Sequence, residues 1–339
     1  MDVDAVILWV DGNDPAWFAD YKKYCEYDSL EFNSKNRFRD WDNLQYLFRG
    51  IDKFLPWIRH VHFVTFGHLP SWLDLNSEKI KIHKHTDIFS NKMHLPVFNA
   101  SSIELNINNI NGLAENFIYF NDDFFILQQL PITRFFKDNK PVDFLIEGLS
   151  RSGYFYRTFR GEGVWISMIN NSLREVNVHF QKRKLLWKHR ELFFNKSYGF
   201  FGNIKNIIFS YKKTFNSFEH YHLPQPYCKR TLQYADDFFR DVINQTSASR
   251  FRHHSNVSQA LYRYIHLARG DFYPERYSDY AIFPLSDLSS YKELEKNIFN
   301  YKMVCINDEV TDEDDFPLLR DALNRLLDRI LPDKCSFEL

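Results

Sequence analysis

The sequence predicts an α/β fold: a mostly parallel sheet flanked by helices, followed by a helical C-terminal half. Three observations carry that expectation. Residues 3–10 are an apolar run interrupted only by Asp4, the pattern of a strand buried on both faces. Residues 117–120, Phe-Ile-Tyr-Phe, are a second such run and end in Asn121-Asp122-Asp123. Between the two runs, strand-like and helix-like patterns alternate, as they do where helical crossovers join parallel strands in a Rossmann-like sheet.

The first run stops at Asp11-Gly12-Asn13-Asp14-Pro15, a cluster of turn formers that leaves carboxylates at a strand end. After Arg37-Phe38-Arg39-Asp40, the residues Leu44, Leu47, Phe48 and Ile51 fall on one helical face, and Asp40 reads as the N-cap. Residues 60–66 alternate as a strand and turn at Gly67-His68-Leu69-Pro70; residues 79–83 form another short strand. Residues 99–110 have helical spacing and lead into the 117–120 strand. Beyond residue 150 the character changes. Residues 150–163, rich in Gly, Arg and Tyr, read as loops or short strands, and the basic, aromatic stretch 179–215 reads as helical. Helices dominate from Leu232 onward, including 258–268 and 318–331, and Met303-Val304 opens one more strand that ends in Asn307-Asp308. The acidic run 312–315 starts the last helix and lacks the spacing of a calcium loop. No linker separates independent domains, so residues 1–150 and 151–339 are expected to be two halves of one compact domain.

Composition narrows the function. A chain of 339 residues with 44% hydrophobic content can bury a large core. A net charge of −1 gives no basis for nucleic-acid binding. The four cysteines, Cys25, Cys228, Cys305 and Cys335, show no paired spacing, which argues against a zinc site or a disulfide framework and fits a reducing compartment. The acidic N-terminus lacks the basic segment of a secretory signal, and no apolar stretch approaches the ~18 residues of a membrane span. A cytoplasmic protein is expected.

The adjacent carboxylates Asp122 and Asp123 repel each other unless positive charge intervenes. A hard divalent cation with oxygen ligands, typically Mg²⁺ on a substrate phosphate, relieves that repulsion; a solvated strand end is the plainer alternative. Arg37 and Arg39 flank Phe38 and point the same way in an extended segment, which suits a diphosphate; ordinary salt bridges would also explain them. His222 precedes Leu223-Pro224, and near a metal and phosphates it could act as a general base for a sugar hydroxyl. Arg250 and Arg252 form a second cationic pair. The 179–215 stretch could rest on anionic lipid or hold a charged polymer, or could simply be a helix with one packed and one wet face.

Taken together, these blocks resemble the Stealth family of sugar-1-phosphate transferases. Four regions carry the resemblance, in order along the chain. The first is Leu8-Trp9-Val10-Asp11-Gly12-Asn13-Asp14-Pro15. The second runs from Arg37-Phe38-Arg39-Asp40 through Pro56-Trp57-Ile58-Arg59 and Pro70-Ser71-Trp72-Leu73 to Asn121-Asp122-Asp123. The third runs from His222-Leu223-Pro224 to Phe251-Arg252. The fourth joins Cys305-Ile306-Asn307-Asp308 to Leu331-Pro332 and Ser336-Phe337-Glu338. Two departures bear on acceptor and sugar choice: Trp41-Asp42-Asn43 follows Asp40 where the family often has Asn-Gly-Glu, and Gln225-Pro226 stands where animal members carry a second histidine.

The resemblance implies a GT-A-like sheet and transfer of a hexose 1-phosphate from a UDP-sugar donor to a hydroxyl of an acceptor glycan, free or lipid-linked, with UMP released. Residues 1–150 would bind nucleotide sugar and metal, and residues 151–339 would complete the site. It implies catalytic roles for Asp123, His222 and Arg252, with either His222 or Asp123 as the base. Substrate binding would fall to Trp9, Asp11, Gly12, Arg37, Arg39 and Asp40. Mg²⁺ (or Mn²⁺) would be held by Asp122 and Asp123 with Asn307 or Asp308. Apart from the resemblance, the basic aromatic composition of 179–215 allows a peripheral contact with the inner membrane face. The rival readings are a glycosyltransferase that releases UDP, a nucleotide-sugar hydrolase, and a non-catalytic glycan-binding protein.

Overall fold

The computed structural model describes residues 1–25, 38–151 and 163–339. Its strands are β1 (Val3–Leu8), β2 (Val61–Thr65), β3 (Ile80–Lys84), β4 (Asn116–Phe120), β5 (Phe124–Ile126), β6 (Phe136–Lys137), β7 (Lys140–Asp143), β8 (Gln225–Cys228), β9 (Tyr273–Pro274), β10 (Tyr280–Leu285) and β11 (Met303–Asp308). The helices used below are α1 (Pro15–Tyr24), α2 (Leu44–Phe54), α3 (Val164–His179), α4 (Gly199–Phe209), α5 (Ala260–Arg269) and α6 (Phe316–Ile330). The main sheet has the order β3-β2-β1-β4-β8. Its first four strands are parallel, and β8 joins β4 antiparallel. A second sheet, β10-β11-β5, pairs β10 parallel and β5 antiparallel to β11.

The pleat of β1 divides the interior. Val3, Ala5 and Ile7 face a core that holds Leu44, Leu47, Phe48 and Ile51 of α2 and Leu319, Leu323, Leu326 and Leu327 of α6. Val6 faces the other core, with Phe117, Tyr119, Tyr227 and the α5 residues Leu261, Tyr262, Tyr264 and Ile265. Alternate residues of one largely apolar run thus feed two cores, which is why β1 is hydrophobic on both faces apart from Asp4.

Three local expectations are corrected. All five residues of β2 are buried, because β2 lies inside the sheet rather than on a half-exposed face. His62 is accommodated there by the buried carboxylate of Asp4, 3.1 Å away. The N-cap of α2 is Asn43, since Asp40 lies too early and instead accepts the Asp42 N–H at 2.9 Å, in a turn where Asp42 takes φ 53°. The helix expected over 99–110 stops at Glu104 and resumes as a 3₁₀ turn at Ile107–Asn109. There Asn106 donates to the Ser102 carbonyl and to Ser247 Oγ, both at 2.8 Å, and ties the break to the C-terminal half. Most of the 150–163 stretch lies outside the described residues.

A buried ion pair joins the halves. Asp143, at the end of β7, accepts from Arg263 Nη2 at 2.7 Å and Nε at 2.8 Å, and lies 2.8 Å from His266 Nε2. Burial alone would raise the Asp143 pKa, but the Arg263 charge and the His266 hydrogen bond hold it well below the usual carboxylate range. Arg263 Nη1 also donates to the Glu219 carbonyl at 2.8 Å, which anchors the segment leading to His222. Arg263→Met should therefore strand a buried carboxylate and cost about 3–5 kcal/mol of stability. An unchanged urea unfolding midpoint for that variant would contradict this assignment.

Candidate active site

The parallel strands β1 and β4 pair with Ile7 opposite Phe120, so both end at the same sheet edge, where Trp9 and Asp122 emerge. Strand β8 runs the other way, with Tyr119 opposite Gln225. Carrying that antiparallel register three residues beyond the Tyr119–Gln225 pair sets His222 opposite Asp122. Pro226 inside β8 is tolerated because β8 is an edge strand. The backbone of Asp123 then registers against the second sheet, its carbonyl accepting the Ile306 N–H at 2.9 Å.

His222 Nε2 lies 3.3 Å from Asp123 Oδ2, and Cys305 Sγ donates to the same oxygen at 3.2 Å. Asp123, His222 and Cys305 thus form a group whose ligand atoms all lie within 4.8 Å of one another. The His222 ring packs edge-on against Phe124 at 4.9 Å. Burial pulls its pKa down, but the Asp123 hydrogen bond and the charges of Asp123, Glu104 and Asp122 outweigh this and raise it above the ordinary histidine value. Asp123 and His222 border a cleft of about 750 Å³ whose lining also includes Trp9, Arg39, Asp40, Asp122, Arg252, Asn307 and Asp308.

Asp122 lines the cleft and is exposed there. The protein packed around it, which desolvates the charge, and the charges of Asp123 and Asp40 push its carboxyl up to about 7. Asp123 Oδ1 is buried and has no hydrogen-bond partner among the described residues. An orphaned carboxylate oxygen beside a carboxyl that resists ionising fits a hard divalent cation. Asp122 and Asp123 could hold such an ion, with the Asn307 side-chain oxygen on the same lining.

Asp308 is committed elsewhere. Its oxygens accept from Arg39 Nη2 at 2.8 and 2.9 Å, Arg39 Nε at 3.1 Å, Trp41 Nε1 at 3.0 Å and the Val310 N–H at 3.0 Å. Arg39 also stacks over Phe316 at 4.1 Å. Arg39 is therefore not the free guanidinium that its sequence context suggests, and Asp308 is not a free metal ligand. Their pairing ties the strand edge to α6, and Arg37 lies outside the described residues. Gly12 explains how the Arg39 segment arrives. Its N–H donates to the Phe38 carbonyl at 3.1 Å, and a Cβ on Gly12 would meet that oxygen at 2.1 Å. Gly12 and Asp11 are not among the cleft-lining residues; Asp11 donates its N–H to His68 Nε2 at 2.8 Å.

Arg252 sits on a loop pinned from within. Buried Asn99 donates to the carbonyls of Ser249 at 3.2 Å and Phe251 at 3.4 Å and to Asn256 Oδ1 at 3.0 Å. Buried Asn256 in turn accepts the His253 N–H at 3.0 Å and donates to Ser249 Oγ at 2.8 Å. No motif pointed to Glu104, Trp165, His220 or Tyr221, yet all four line the cleft. Glu104 is held by the Tyr119 hydroxyl at 3.0 Å and the Gln259 N–H at 3.3 Å, and burial pushes its carboxyl up. Burial also drives the His220 pKa well below its ordinary value, and that ring pairs with the Tyr264 hydroxyl.

With this geometry in place, similarity to other proteins becomes informative. Residues 1–26 match the family model for Stealth protein conserved region 1, and residues 37–143 match conserved region 2. The receptor polysaccharide phosphotransferase WefC of Streptococcus oralis is 32% identical over 341 residues, covering 99% of each chain. The capsular polysaccharide phosphotransferase WcwK of Streptococcus pneumoniae is 31% identical, over 99% of this chain and 98% of its own. The exopolysaccharide phosphotransferase cps2G of Lactiplantibacillus plantarum is 33% identical, over 99% of this chain and 96% of its own. Among solved structures, mouse xyloside xylosyltransferase 1 aligns with 92% of this chain and 100% of its own at a TM-score of 0.37 and 9% identity, and nothing below rests on it.

Two outcomes test the geometry. Gly12→Ala should overpack the Phe38 contact and cost about 1–3 kcal/mol in urea unfolding; an unchanged midpoint would refute the close approach. NMR titration of metal-free protein should place the His222 midpoint above the ~6.5 of a free histidine. Asp123→Asn removes the charge that favours the imidazolium, so it should move that midpoint down; a rise would invert the assignment.

Proposed function

The chain belongs to the Stealth family, and from that premise we propose that it transfers a hexose 1-phosphate from a UDP-sugar to an acceptor glycan hydroxyl in capsule or exopolysaccharide synthesis. The convergence of Asp123, His222 and Arg252 on one cleft is the observation that carries this reading. The named relatives, similar along their whole length, are polysaccharide phosphotransferases, which supports transferase chemistry.

The reaction balances as follows. The acceptor oxygen forms a bond to the phosphorus beside the sugar, the bond from that phosphorus to the bridging oxygen breaks, and UMP leaves with the electron pair. The anomeric carbon–oxygen bond is untouched. Such a transfer depends on in-line positioning and charge neutralisation more than on covalent help. A divalent cation on Asp122 and Asp123, with Asn307, would neutralise the diphosphate when bound.

The chain's own groups do the rest. Asp123 Oδ2 holds the Nε2–H of His222, which leaves Nδ1 as the basic nitrogen for the acceptor proton. Arg252 offers its charge to the transferring phosphoryl oxygens. Trp9 and Asp40 line the donor side, and Arg39, held by Asp308, shapes the wall. A cleft of about 750 Å³ suits a ligand the size of a nucleotide sugar. A UDP-sugar donor places the reaction in the cytoplasm, with the growing glycan, free or lipid-linked, as acceptor.

Incubation with UDP-hexoses, Mg²⁺ and candidate acceptor glycans should release UMP and yield a phosphodiester resonance in ³¹P NMR. Release of UDP would establish anomeric transfer instead, and acceptor-independent UMP would establish hydrolysis. In the same assay Arg252→Ala should lower kcat by about 10³-fold or more. Near-normal turnover would remove Arg252 from the reaction.

A further inference from the structure

Helix α4 is amphipathic the wrong way round for a helix that only packs against its own protein. Phe200, Phe201, Ile204, Ile207, Ile208 and Tyr211 recur at spacings that place them on one face. That face points outward: Phe200 is 74% exposed, Phe201 77%, Ile207 60% and Tyr211 69%. The inward face is Gly202, Asn206 and Phe209. Buried Asn206 donates to the carbonyls of Leu145 at 2.7 Å and Phe193 at 2.6 Å and accepts the Glu147 N–H at 2.8 Å, so α4 is pinned by polar bonds on the side where apolar packing is usual. An earlier helix, Lys182–Lys188, is fastened to the end of α4 through Lys182 Nζ on the Phe209 carbonyl at 2.7 Å. It presents Trp187, 87% exposed.

Charge identifies the occupant of this face. Residues 179–215 contain nine lysines and arginines and a single acid, Glu191, in a chain whose net charge is only −1. Arg183, Lys184, Lys188, Arg190, Lys196, Lys205 and Lys213 are exposed. No helix among the described residues is long and apolar enough to cross a membrane. A second copy of the chain would bring two strongly basic surfaces together, whereas an anionic bilayer offers acyl chains to the aromatic stripe and negative headgroups to its basic surroundings. We propose that the outward face of α4, with Trp187, docks this protein on an anionic lipid surface, lying in the interface without spanning it. The docking requires no particular donor or acceptor and stands apart from the reaction assigned to the cleft.

The test is sedimentation of the full chain with phosphatidylcholine vesicles prepared with and without phosphatidylglycerol. The protein should pellet with the anionic vesicles and stay in solution with the neutral ones, and added salt should weaken the binding. The double variant Phe200→Ser/Phe201→Ser should reduce vesicle partitioning at least about tenfold. Lys184→Glu/Lys188→Glu should reduce it while leaving the stripe intact. Circular dichroism melts matching the wild type would confirm that the variants fold. UMP release on a soluble acceptor should persist in both variants, so loss of docking and failure of the proposed reaction are read separately. Wild type that stays in solution with anionic vesicles, or a Phe variant that pellets as well as wild type, would overturn the proposal. So would light scattering that shows a wild-type dimer made monomeric by the Phe substitutions, since the face would then be an interface between copies.

Discussion

One constraint organises the cleft: an antiparallel edge strand added to an otherwise parallel sheet. The parallel strands β1 and β4 carry Trp9 and Asp122 to a shared edge, and β8 begins at the edge where β4 ends. Reversing β8 would send His222 to the opposite end of the sheet, away from Asp123. The backbone ladder, which is indifferent to side-chain chemistry, thus sets the distance between an imidazole and a carboxylate nearly a hundred residues away. The second sheet uses the same device, since the pairing of β5 with β11 delivers Cys305 to Asp123.

Around that edge the protein manages an excess of negative charge. Asp40, Asp122, Asp123 and Glu104 all border the cleft, and burial raises the pKa of Asp40, Asp122 and Glu104. Asp308 escapes this crowding because Arg39 and Trp41 saturate it, and the pair becomes part of the wall. What remains under-satisfied among the described residues is the Asp122–Asp123 corner, where one carboxylate oxygen has no partner. A cation at that corner would relieve repulsion that the fold itself leaves in place. The surrounding polar network is rigid for the opposite reason: Asn99, Asn256 and Arg263 are buried with their bonds made, and they hold the Arg252 loop and the approach to His222.

Legibility in the sequence followed the range of the interaction. The strands β1 and β4 were readable because burial on both faces demands a nearly unbroken apolar run, and the Asp pair was readable because its members are adjacent. Gly12 signalled a tight turn, but its contact with Phe38 is a packing event between segments and leaves no local mark. The partnership of Arg39 with Asp308 spans 269 positions, so the same arginine looked like a free phosphate ligand. Glu104 was hidden inside a helical pattern, and only the tertiary contact with Tyr119 shows that its carboxylate is buried at the cleft. The inverted polarity of α4 was equally hidden, since periodicity identifies an apolar face without saying which way it points.

The sequence alone determined the α/β class, the places where strands end in carboxylates, and the set of side chains able to handle phosphate and metal. All of these follow from local pattern, because hydrophobic period and turn chemistry act over a few residues. Which carboxylates stay free, which arginine is spent on an internal ion pair, and which histidine meets Asp123 were decided only by tertiary structure. Those outcomes depend on strand direction and register, and on burial, which changes the energy of a charge according to neighbours that the chain order does not reveal.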